Sequence, residues 1–366
     1  MIYLDNGATS LHKPATVKQA MICALDNCAN PGRGGYPASM AAARTVLRCR
    51  EQAGKLFDCA PERVILTQNC THGLNIAIHS LLKENARVVI SGFEHNAVTR
   101  PLFHRRAQIT VAGRKLFDWE DTLSRFEDAL KQGQDLAVFT HMSNVFGYIL
   151  PVEQMAELCR QYGVPFVVDA AQSAGSLPVS LRNWGADFIA MPGHKGLLGP
   201  QGTGLLLCGN DPKPLMQGGT GSLSASWEMP DFLPDRAEAG TVNVPGAAGL
   251  AAGMAYVQKQ GIDRLHGAQT RQARRCVAGL TKLGWQVFAG DHQGGTVSFV
   301  PPLDCETLAE KLADQGVCVR AGLHCAPLAH DSAGTSNSGT VRVSFGHDAS
   351  MEQTGAFLQA VSRLKI

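Results

Sequence analysis

Between residues 64 and 210, short apolar runs alternate regularly with stretches of helical periodicity. The apolar runs lie at 64–67, 87–91, 136–142, 165–170, 187–191 and 204–208. Val152–Tyr162 carries apolar residues at helical spacing and is followed by Gly163 and Pro165, which predicts a helix that ends before the next strand. Strands that alternate with helices form a mostly parallel sheet covered by helices. The sequence therefore predicts one large α/β domain in this region.

The order of elements changes after a stretch rich in Gly and Pro at about residues 209–246. An apolar helix and a charged helix at 263–283 come next, followed by the order strand, strand, helix, strand, strand, helix, with strands at 296–300, 317–320 and 340–345. Such a succession predicts a smaller α+β domain at the C-terminal end. Because 366 residues exceed what one hydrophobic core usually serves, we expect a large domain at 15–250 and a small domain made of 1–14 and 251–366.

Composition argues against several classes of protein. The 33 Lys and Arg residues nearly balance the 31 Asp and Glu residues, and no basic stripe is present, so nucleic acid is not an expected partner. The 11 cysteines are scattered without a C-x-x-C pair, which predicts no metal site and a reducing compartment. The N-terminus does not resemble a signal peptide, and the longest apolar run is too short to span a bilayer. We therefore expect a cytoplasmic protein with no membrane partner.

A lysine and an aspartate near the ends of two predicted strands carry the strongest chemical signal. Lys195 lies in M-P-G-H-K-G-L-L-G-P-Q-G-T-G at 191–204, just after an apolar strand and before a glycine-rich turn. A desolvated lysine there can form a Schiff base with an aldehyde, although a lone loop lysine more often extends into solvent. Asp169, in V-V-D-A-A-Q-S-A-G at 167–175, can keep a pyridine nitrogen protonated, or can cap a helix. Together they predict a pyridoxal 5'-phosphate (PLP) site.

The order and spacing of these motifs resemble those of class V aminotransferase-fold enzymes, specifically the cysteine desulfurase and selenocysteine lyase family. The similarity begins with Y-L-D-N-G-A-T-S at 3–10, continues through N-P-G-R-G-G at 30–35 and covers nearly the whole chain. The resemblance implies the PLP-dependent transferase fold of type I, with PLP as the cofactor.

The resemblance also implies roles around the cofactor ring. Lys195 is the catalytic residue that holds PLP, Asp169 pairs with the ring nitrogen, and Gln172 contacts the phenolic oxygen. His95, in E-H-N-A at 94–97, is the catalytic imidazole that stacks on the ring and moves protons. Asn144, in H-M-S-N-V-F-G at 141–147, lies near the phenolic oxygen and the substrate carboxylate.

For the cofactor phosphate, the resemblance implies a helix start with polar side chains around it. T-Q-N-C-T-H-G-L-N at 67–75 places Cys70 and Thr71 at such a start, and His194 would donate from another side. Thr241, in E-A-G-T-V-N at 238–243, matches a threonine that reaches the phosphate of the partner subunit. A homodimer with shared active sites is therefore expected.

Three residues near the C-terminal end are expected to act on the substrate. Arg342, in V-R-V-S-F-G at 341–346, matches the arginine that grips the substrate carboxylate, and Arg320 is expected to assist. Cys325, in R-x-G-x-H-C, is similar to the catalytic cysteine that takes up the substrate's sulfur as a persulfide. Arg320 and His324 are expected to favour its thiolate electrostatically.

The expected function is a PLP-dependent cysteine desulfurase that converts L-cysteine into L-alanine and a persulfide on Cys325. L-selenocysteine is an equally acceptable substrate on these residues, and a sulfur-acceptor protein is an expected partner. The alternative is another class V PLP enzyme, an aminotransferase or a lyase, in which Cys325 is structural. Two departures from the family pattern bear on binding: Pro192 replaces Ser or Thr near the phosphate, and Tyr36 stands where related sequences often carry His near the substrate.

Two interpretations that assign the chain to other classes of protein have less support from the sequence. The glycines at 196–204 follow a lysine as G-x-x-G-x-x-G-x-G, whereas a dinucleotide-binding oxidoreductase carries G-x-G-x-x-G at the opening of its first helix. A non-catalytic scaffold or PLP-responsive regulator on the same fold would have little use for the set Lys195, Asp169, His95, Arg342 and Cys325.

Overall fold

The computed structural model describes residues 1–32 and 34–364, and this part of the chain forms three β-sheets with helices packed on them. Arg33 of the N-P-G-R-G-G motif lies outside the described residues. The strands are β1 (Ile2–Tyr3), β2 (Val64–Thr67), β3 (Arg87–Ser91), β4 (Gln108–Ala112), β5 (Leu136–Thr140), β6 (Phe166–Asp169), β7 (Phe188–Pro192), β8 (Gly204–Cys208), β9 (Gln286–Phe288), β10 (Thr296–Val300), β11 (Val317–Cys318), β12 (Arg320–Gly322) and β13 (Thr340–Ser344).

The helices follow the same chain order and separate most of the strands of the large sheet. They are α1 (Ala15–Asn27), α2 (Pro37–Phe57), α3 (Cys70–Leu81), α4 (Asn96–His104), α5 (Trp119–Lys131), α6 (Val152–Tyr162), α7 (Leu181–Trp184), α8 (Val244–Gln260), α9 (Ile262–Lys282), α10 (Cys305–Asp314), α11 (Pro327–Ala333) and α12 (Met351–Arg363). The helix predicted at Val152–Tyr162 is α6, and Gly163 ends it in the left-handed conformation with φ of 65°.

The large sheet has the strand order β2-β8-β7-β6-β5-β3-β4. The pairs from β7 to β4 are parallel, whereas β8 is antiparallel to both β7 and β2. Since β2 therefore runs in the same direction as β7, the carboxyl ends of β2, β3, β5, β6 and β7 meet at one edge of the sheet. The predicted α/β fold with a mostly parallel sheet is confirmed. The edge strand β4 was not predicted, because four of its five residues are exposed or half-buried and it lacks a buried run.

Two hydrophobic clusters cover the two faces of the large sheet. Side chains alternate along each strand, so Val168 packs on one face with α5, α6 and α8, while Val167 packs on the other face with α3 and α4. Burial on both faces explains why β5 to β8 read as continuous apolar runs in the sequence.

The smaller sheet is antiparallel, with the order β12-β13-β10-β9, and helices pack on it. The N-terminal strand β1 pairs with β11, and Leu4 belongs to the same hydrophobic cluster as Val341 and Phe357. A smaller α+β unit at the C-terminal end is therefore confirmed, while the exact domain limits at 14 and 250 stay predictions. In residues 1–32 and 34–364, no helix is both long and apolar enough to cross a membrane.

Candidate active site

Predicted site residues converge at the edge of the large sheet where five strands end. Cys70 follows β2, His95 follows β3, Asn144 follows β5, Asp169 ends β6 and Lys195 follows β7. The carboxyl edge of an open α/β sheet is where ligands bind, because the turns there leave a crevice between strand ends. The fold thus brings together residues that are up to 125 positions apart in the sequence (195 − 70).

Lys195 and Asp169 lie on turns that pack directly against each other. Gly175, with φ of +85°, follows the Asp169 turn, and a Cβ at this position would come within 2.3 Å of the carbonyl oxygen of Gly196. A Cβ at Gly196 would likewise meet the carbonyl oxygen of Ala174 at 2.3 Å. Only glycines allow this approach, and it holds the lysine beside the aspartate.

The amine of Lys195 has the properties that a nucleophilic lysine requires. Burial lowers its pKa, although the carboxylate of Asp169 opposes this effect. Within the described residues its Nζ atom makes no hydrogen bond, so the amine is not committed to a structural partner. A desolvated amine with a free lone pair attacks a carbonyl carbon more readily than a solvated ammonium group.

The carboxylate of Asp169 is divided between the protein and the cavity. Its Oδ1 atom accepts a hydrogen bond from Ala171 N at 2.8 Å and a weak one from Cys70 Sγ at 3.4 Å. The other oxygen, Oδ2, has no partner among the residues that the structure describes, although Asp169 is only 2% exposed. This oxygen is therefore free to accept a hydrogen bond from a ligand, and a protonated pyridine nitrogen would supply one.

The start of α3 offers backbone donors to an anion. Asn69 caps this helix by accepting a hydrogen bond from His72 N at 2.9 Å, whereas the N–H groups of Cys70 and Thr71 find no acceptor in the described part of the chain. Such free N–H groups bind phosphate well. The side chain of Cys70, however, is turned toward Asp169, and burial followed by the Asp169 charge raises its pKa well above the ordinary value.

His95 is the N-terminal cap of α4 and is neutral near physiological pH. Its Nδ1 atom accepts a hydrogen bond from Ala97 N at 3.0 Å, which leaves the proton on Nε2. Burial lowers its pKa, with Asp169 acting in the opposite direction. The preceding Glu94 is fully buried, and its Oε1 atom receives hydrogen bonds from Ser91 and from Thr140 N. This carboxyl group ties the ends of β3 and β5 together beneath His95.

The N-terminal segment lies over the same edge of the sheet. His194 Nδ1 is 3.0 Å from Thr9 Oγ1, and burial lowers the pKa of His194 to about 4. Gln172 Nε2 donates to the carbonyl oxygen of Gly7 at 3.0 Å. Residues 7 to 9 therefore hold two of the predicted cofactor ligands in place.

Cys325 is an exposed thiol on a loop that is held from two sides. Asn96 N, in the first turn of α4, donates to the carbonyl oxygen of Cys325 at 2.8 Å, and Asn144 Nδ2 donates to that of His324 at 2.8 Å. Both His324 and Cys325 adopt positive φ angles, 49° and 56°. Left-handed backbone in consecutive non-glycine residues is strained and often marks a functional loop.

The expected help of His324 to the Cys325 thiolate is wrong. His324 is buried and its Nε2 atom contacts the backbone and hydroxyl oxygens of Thr340, both at 3.2 Å. Burial, followed by repulsion from Arg342, lowers the pKa of His324 to about 2. The imidazole is therefore neutral and supplies no positive charge. Arg320 alone of the two expected residues carries charge near the thiol.

Arg320 and Arg342 share one carboxylate that the sequence analysis did not single out. Asp5 accepts a hydrogen bond from Arg342 Nη2 at 2.8 Å and from Arg320 Nη2 at 2.8 Å. Arg342 Nη1 also donates to the carbonyl oxygen of Asn144 at 3.0 Å. The predicted carboxylate-binding arginine thus stands between Asp5 and the strand end that carries Asn144.

Thr241 does not join the other predicted residues within one chain. It lines a separate cavity of about 460 Å³ together with Asn69 and His72. At the start of its segment, Glu238 receives hydrogen bonds from Arg50 Nη2 at 2.7 Å and from Leu66 N at 2.6 Å. This buried ion pair anchors the segment on the free edge of β2.

Comparison with known proteins identifies the class of enzyme. A model of the Aminotransferase class-V family matches residues 2–357. The chain therefore belongs to this family, as its motifs predicted, and its cofactor is PLP.

The names of similar proteins are more specific than the description of the family. The probable cysteine desulfurases of Methanothermobacter thermautotrophicus and Pyrococcus abyssi are each 32% identical, over 96% and 100% of this chain and 92% and 94% of theirs. The apo cysteine desulfurase of Thermococcus onnurineus NA1 superposes with a TM-score of 0.91 at 32% identity, over 99% of this chain and 94% of that one.

The residues present fit PLP. One edge of the sheet carries the three groups that PLP needs. Asp169 Oδ2 supplies a carboxylate oxygen, and the unpaired amine of Lys195 supplies a nucleophile. The two free N–H groups at Cys70 and Thr71 form an anion site. Pro192 contributes no hydroxyl, but these groups do not depend on it.

Two residues important to this arrangement were missed, Asp5 and Glu94. Asp5 stands inside the Y-L-D-N-G-A-T-S motif, which served only to indicate the family, and Glu94 directly precedes His95. A buried carboxylate needs a partner or a proton, and this requirement is the signal that could have found both.

Proposed function

We propose that this chain is a cysteine desulfurase that removes sulfur from L-cysteine, giving L-alanine and a persulfide on Cys325. The observation that carries the proposal is the placement of an exposed thiol on a loop that is hydrogen-bonded from two sides. That loop contacts the first turn of α4, directly after His95, and it contacts Asn144 at the end of β5. An aminotransferase would have no use for a thiol there.

Each protein group has a defined task in this reaction. When bound, PLP withdraws electrons from the α-carbon of the amino acid. Arg342 binds the substrate carboxylate through its planar fork. Lys195 Nζ, with its lowered pKa, accepts the α-proton and later returns a proton to carbon.

The sulfur step belongs to Cys325. Its thiolate attacks the substrate sulfur, the carbon–sulfur bond breaks with its electron pair on carbon, and the new sulfur–sulfur bond leaves a persulfide on the enzyme. Protonation of the carbon product gives alanine. A thiol of an acceptor protein then attacks the terminal sulfur and releases the Cys325 thiolate. L-Selenocysteine would be held by the same groups.

The single experiment that tests this function measures alanine and sulfide from L-cysteine with a reductant present. Wild type, Lys195→Ala and Cys325→Ala are compared, with Cys23→Ala as the matched variant of another exposed cysteine. Wild type and Cys23→Ala should produce both products, while the other two variants should fail. If Lys195 is required but Cys325 is not, the chain is another class V PLP enzyme.

The finer proposals concern assembly and location. We propose a homodimer in which Thr241 of each subunit reaches the cofactor phosphate of the other. Trp227 is fully exposed and Leu223 is half-exposed in the segment before Thr241, and Leu47 is exposed on α2. Exposed apolar surface of this kind favours a protein interface. All 11 cysteines are free thiols, which supports a reducing, cytoplasmic compartment.

Subunit mixing tests whether the active sites are shared. Lys195→Ala and Thr241→Ala chains with different tags are co-expressed and the mixed dimer is purified. One of its two sites would then combine an intact Lys195 with an intact Thr241 from the other subunit, so about half of wild-type cofactor binding should return. If Thr241 acts within its own subunit, the mixed dimer stays as weak as its parents.

A further inference from the structure

Asp5 is the point at which the two arginines of the candidate substrate site meet. Its Oδ1 accepts from Arg342 Nη2 at 2.8 Å, and its Oδ2 accepts from Arg320 Nε and Nη2 at 3.0 and 2.8 Å. The carboxylate is 7% exposed and Arg342 is 2% exposed. Asp5 and Arg342 are therefore shielded from water, whereas the side chain of Arg320 is 51% exposed.

The two arginines would repel each other without this carboxylate. Arg320 on β12 and Arg342 on β13 are direct cross-strand partners, and like charges at such positions destabilise a sheet. In the described part of the chain, Asp5 is the acidic residue that forms an ion pair with either of them. Two guanidinium groups and one carboxylate leave the cluster with a net charge of about +1.

The hydrogen bonds also decide which donors remain available. Asp5 occupies Arg320 Nε and Nη2, which leaves Nη1 for a ligand. On Arg342, the Nε atom is buried without a partner, while Nη1 and Nη2 each keep one N–H after binding Asn144 and Asp5. The donors left over suit one further carboxylate.

We propose that Asp5 determines substrate specificity: it positions Arg320 and Arg342 and limits the site to amino acids that carry a single carboxylate. The inference rests on the proposed function, in which Arg342 binds the substrate carboxylate. One carboxylate brings the cluster to neutrality, whereas a second one would enter a site with no charge left to balance it. Asp5 is a positioning residue, since it acts through the arginines.

The test uses holoenzyme and two probes without an amino group, propionate and succinate, which cannot react with the cofactor. Dissociation constants are measured by ligand-observed NMR for wild type and Asp5→Asn, with Asp263→Asn as a control for the loss of an exposed charge. Asparagine keeps the size of the side chain and one acceptor. The preference for propionate over succinate should fall about tenfold or more in Asp5→Asn and stay unchanged in the control.

A second variant separates charge from structure. Asp5→Asn combined with Arg320→Gln restores the net charge of +1, so the preference for propionate should return toward the wild-type value. A purely structural role of Asp5 predicts no such recovery. If Asp5→Asn does not fold, Arg320→Gln alone makes the cluster neutral and should weaken the binding of both probes.

The outcomes distinguish the two proposals. An unchanged preference in a folded Asp5→Asn enzyme with normal cofactor content would overturn the role of Asp5. If Arg342→Lys does not weaken propionate binding, the carboxylate site lies elsewhere, and the assignment of Arg342 in the proposed function fails instead.

Discussion

The active site joins two regions whose functional groups are controlled by different interactions, burial in one and charge pairing in the other. The cofactor floor, made of Cys70, Asp169 and Lys195, lies at the carboxyl ends of strands in the large sheet. The substrate rim, made of Arg320, Cys325 and Arg342, belongs to the smaller antiparallel sheet and its loop. Burial is the first cause of the shifted pKa values of Cys70 and Lys195 on the floor. At the rim, the pairing of charges through Asp5 is decisive.

This difference predicts two kinds of variant. The cofactor floor holds groups whose reactivity depends on the exclusion of water, so substitutions there should change the rate of the chemical step. The rim presents charges whose balance depends on Asp5, so substitutions there should change substrate affinity. The exception is Cys325, which reacts although it lies on the rim.

The largest effect is expected for Lys195→Arg on the floor. Arginine keeps the positive charge but does not give up its proton, so turnover should fall by about 10⁴-fold or more. Borohydride should attach the cofactor covalently to wild type but not to this variant, as read by mass spectrometry. Lys13→Arg is the matched control, because burial lowers the pKa of Lys13 to about 8 while its Nζ atom donates to the carbonyl and hydroxyl oxygens of Ser10 at 3.0 and 2.9 Å. Attachment at Lys13 would contradict the assignment.

Asp169→Asn should have the next largest effect. The amide cannot hold a cationic ring nitrogen, so kcat should drop on the order of a hundredfold while KM changes little. Steady-state kinetics together with the cofactor absorbance of the purified variant provide the check. Asp135→Asn, at an exposed carboxylate before β5, should behave like wild type. A change in KM alone would move Asp169 from the floor to substrate binding.

Glu94→Gln tests how completely water is excluded from the cofactor floor, and the measured quantity is the free energy of unfolding. Burial raises the pKa of Glu94 to about 8, so the folded protein holds a proton that the unfolded chain loses near pH 4.5. Wild-type stability from this group is present below pH 4.5 and is lost as the pH rises through 8. Relative to wild type, the variant should therefore gain about 4 kcal/mol between pH 5 and pH 8.5.

Urea unfolding at the two pH values measures this gain. Glu84→Gln, at an exposed position, should show no change with pH relative to wild type. A gain that is equal at both pH values would mean that the Glu94 carboxyl is ionised throughout, and that the floor is wetter than its burial indicates.

Arg342→Lys tests the rim. Lysine keeps the charge but loses the planar fork, so KM for L-cysteine should rise about tenfold with kcat within a few-fold of wild type. Arg363→Lys, at an exposed position in the last turn of α12, serves as the control. A large decrease in kcat at unchanged KM would place Arg342 in the chemical step and would contradict the distinction between rim and floor.

The floor was more predictable from the sequence than the rim. Asp169 and Lys195 follow apolar runs whose period and length identify buried strands, and glycines such as Gly196 mark close turns. The rim depends on contacts between distant residues: Asp5 and Arg342 are 337 positions apart. No local pattern encodes that pairing, and only the resemblance to a family indicated the roles of Arg342 and Cys325.

The same reasoning explains the error at His324. A histidine beside a cysteine in a glycine-containing loop looks like a cationic neighbour, because a sequence does not reveal which loop side chains turn inward. The pairing of His324 with Thr340, 16 residues away, buries the ring and removes its charge. The missed strand β4 has a related cause, since half-exposed edge strands lack the apolar run that indicates buried ones.

The smallest effect is therefore expected for His324→Gln. Glutamine can keep a hydrogen bond to Thr340, and the removal of a neutral imidazole leaves the electrostatic potential at Cys325 almost unchanged. The rate of Cys325 alkylation by iodoacetamide at pH 7, followed by peptide mass spectrometry, should stay within about twofold of wild type. Arg320→Gln, which removes a charge from the same rim, is the comparison variant and should slow the same reaction more than His324→Gln does. Equal slowing of alkylation in both variants would support the role that the sequence predicted for His324, which is to assist the Cys325 thiolate.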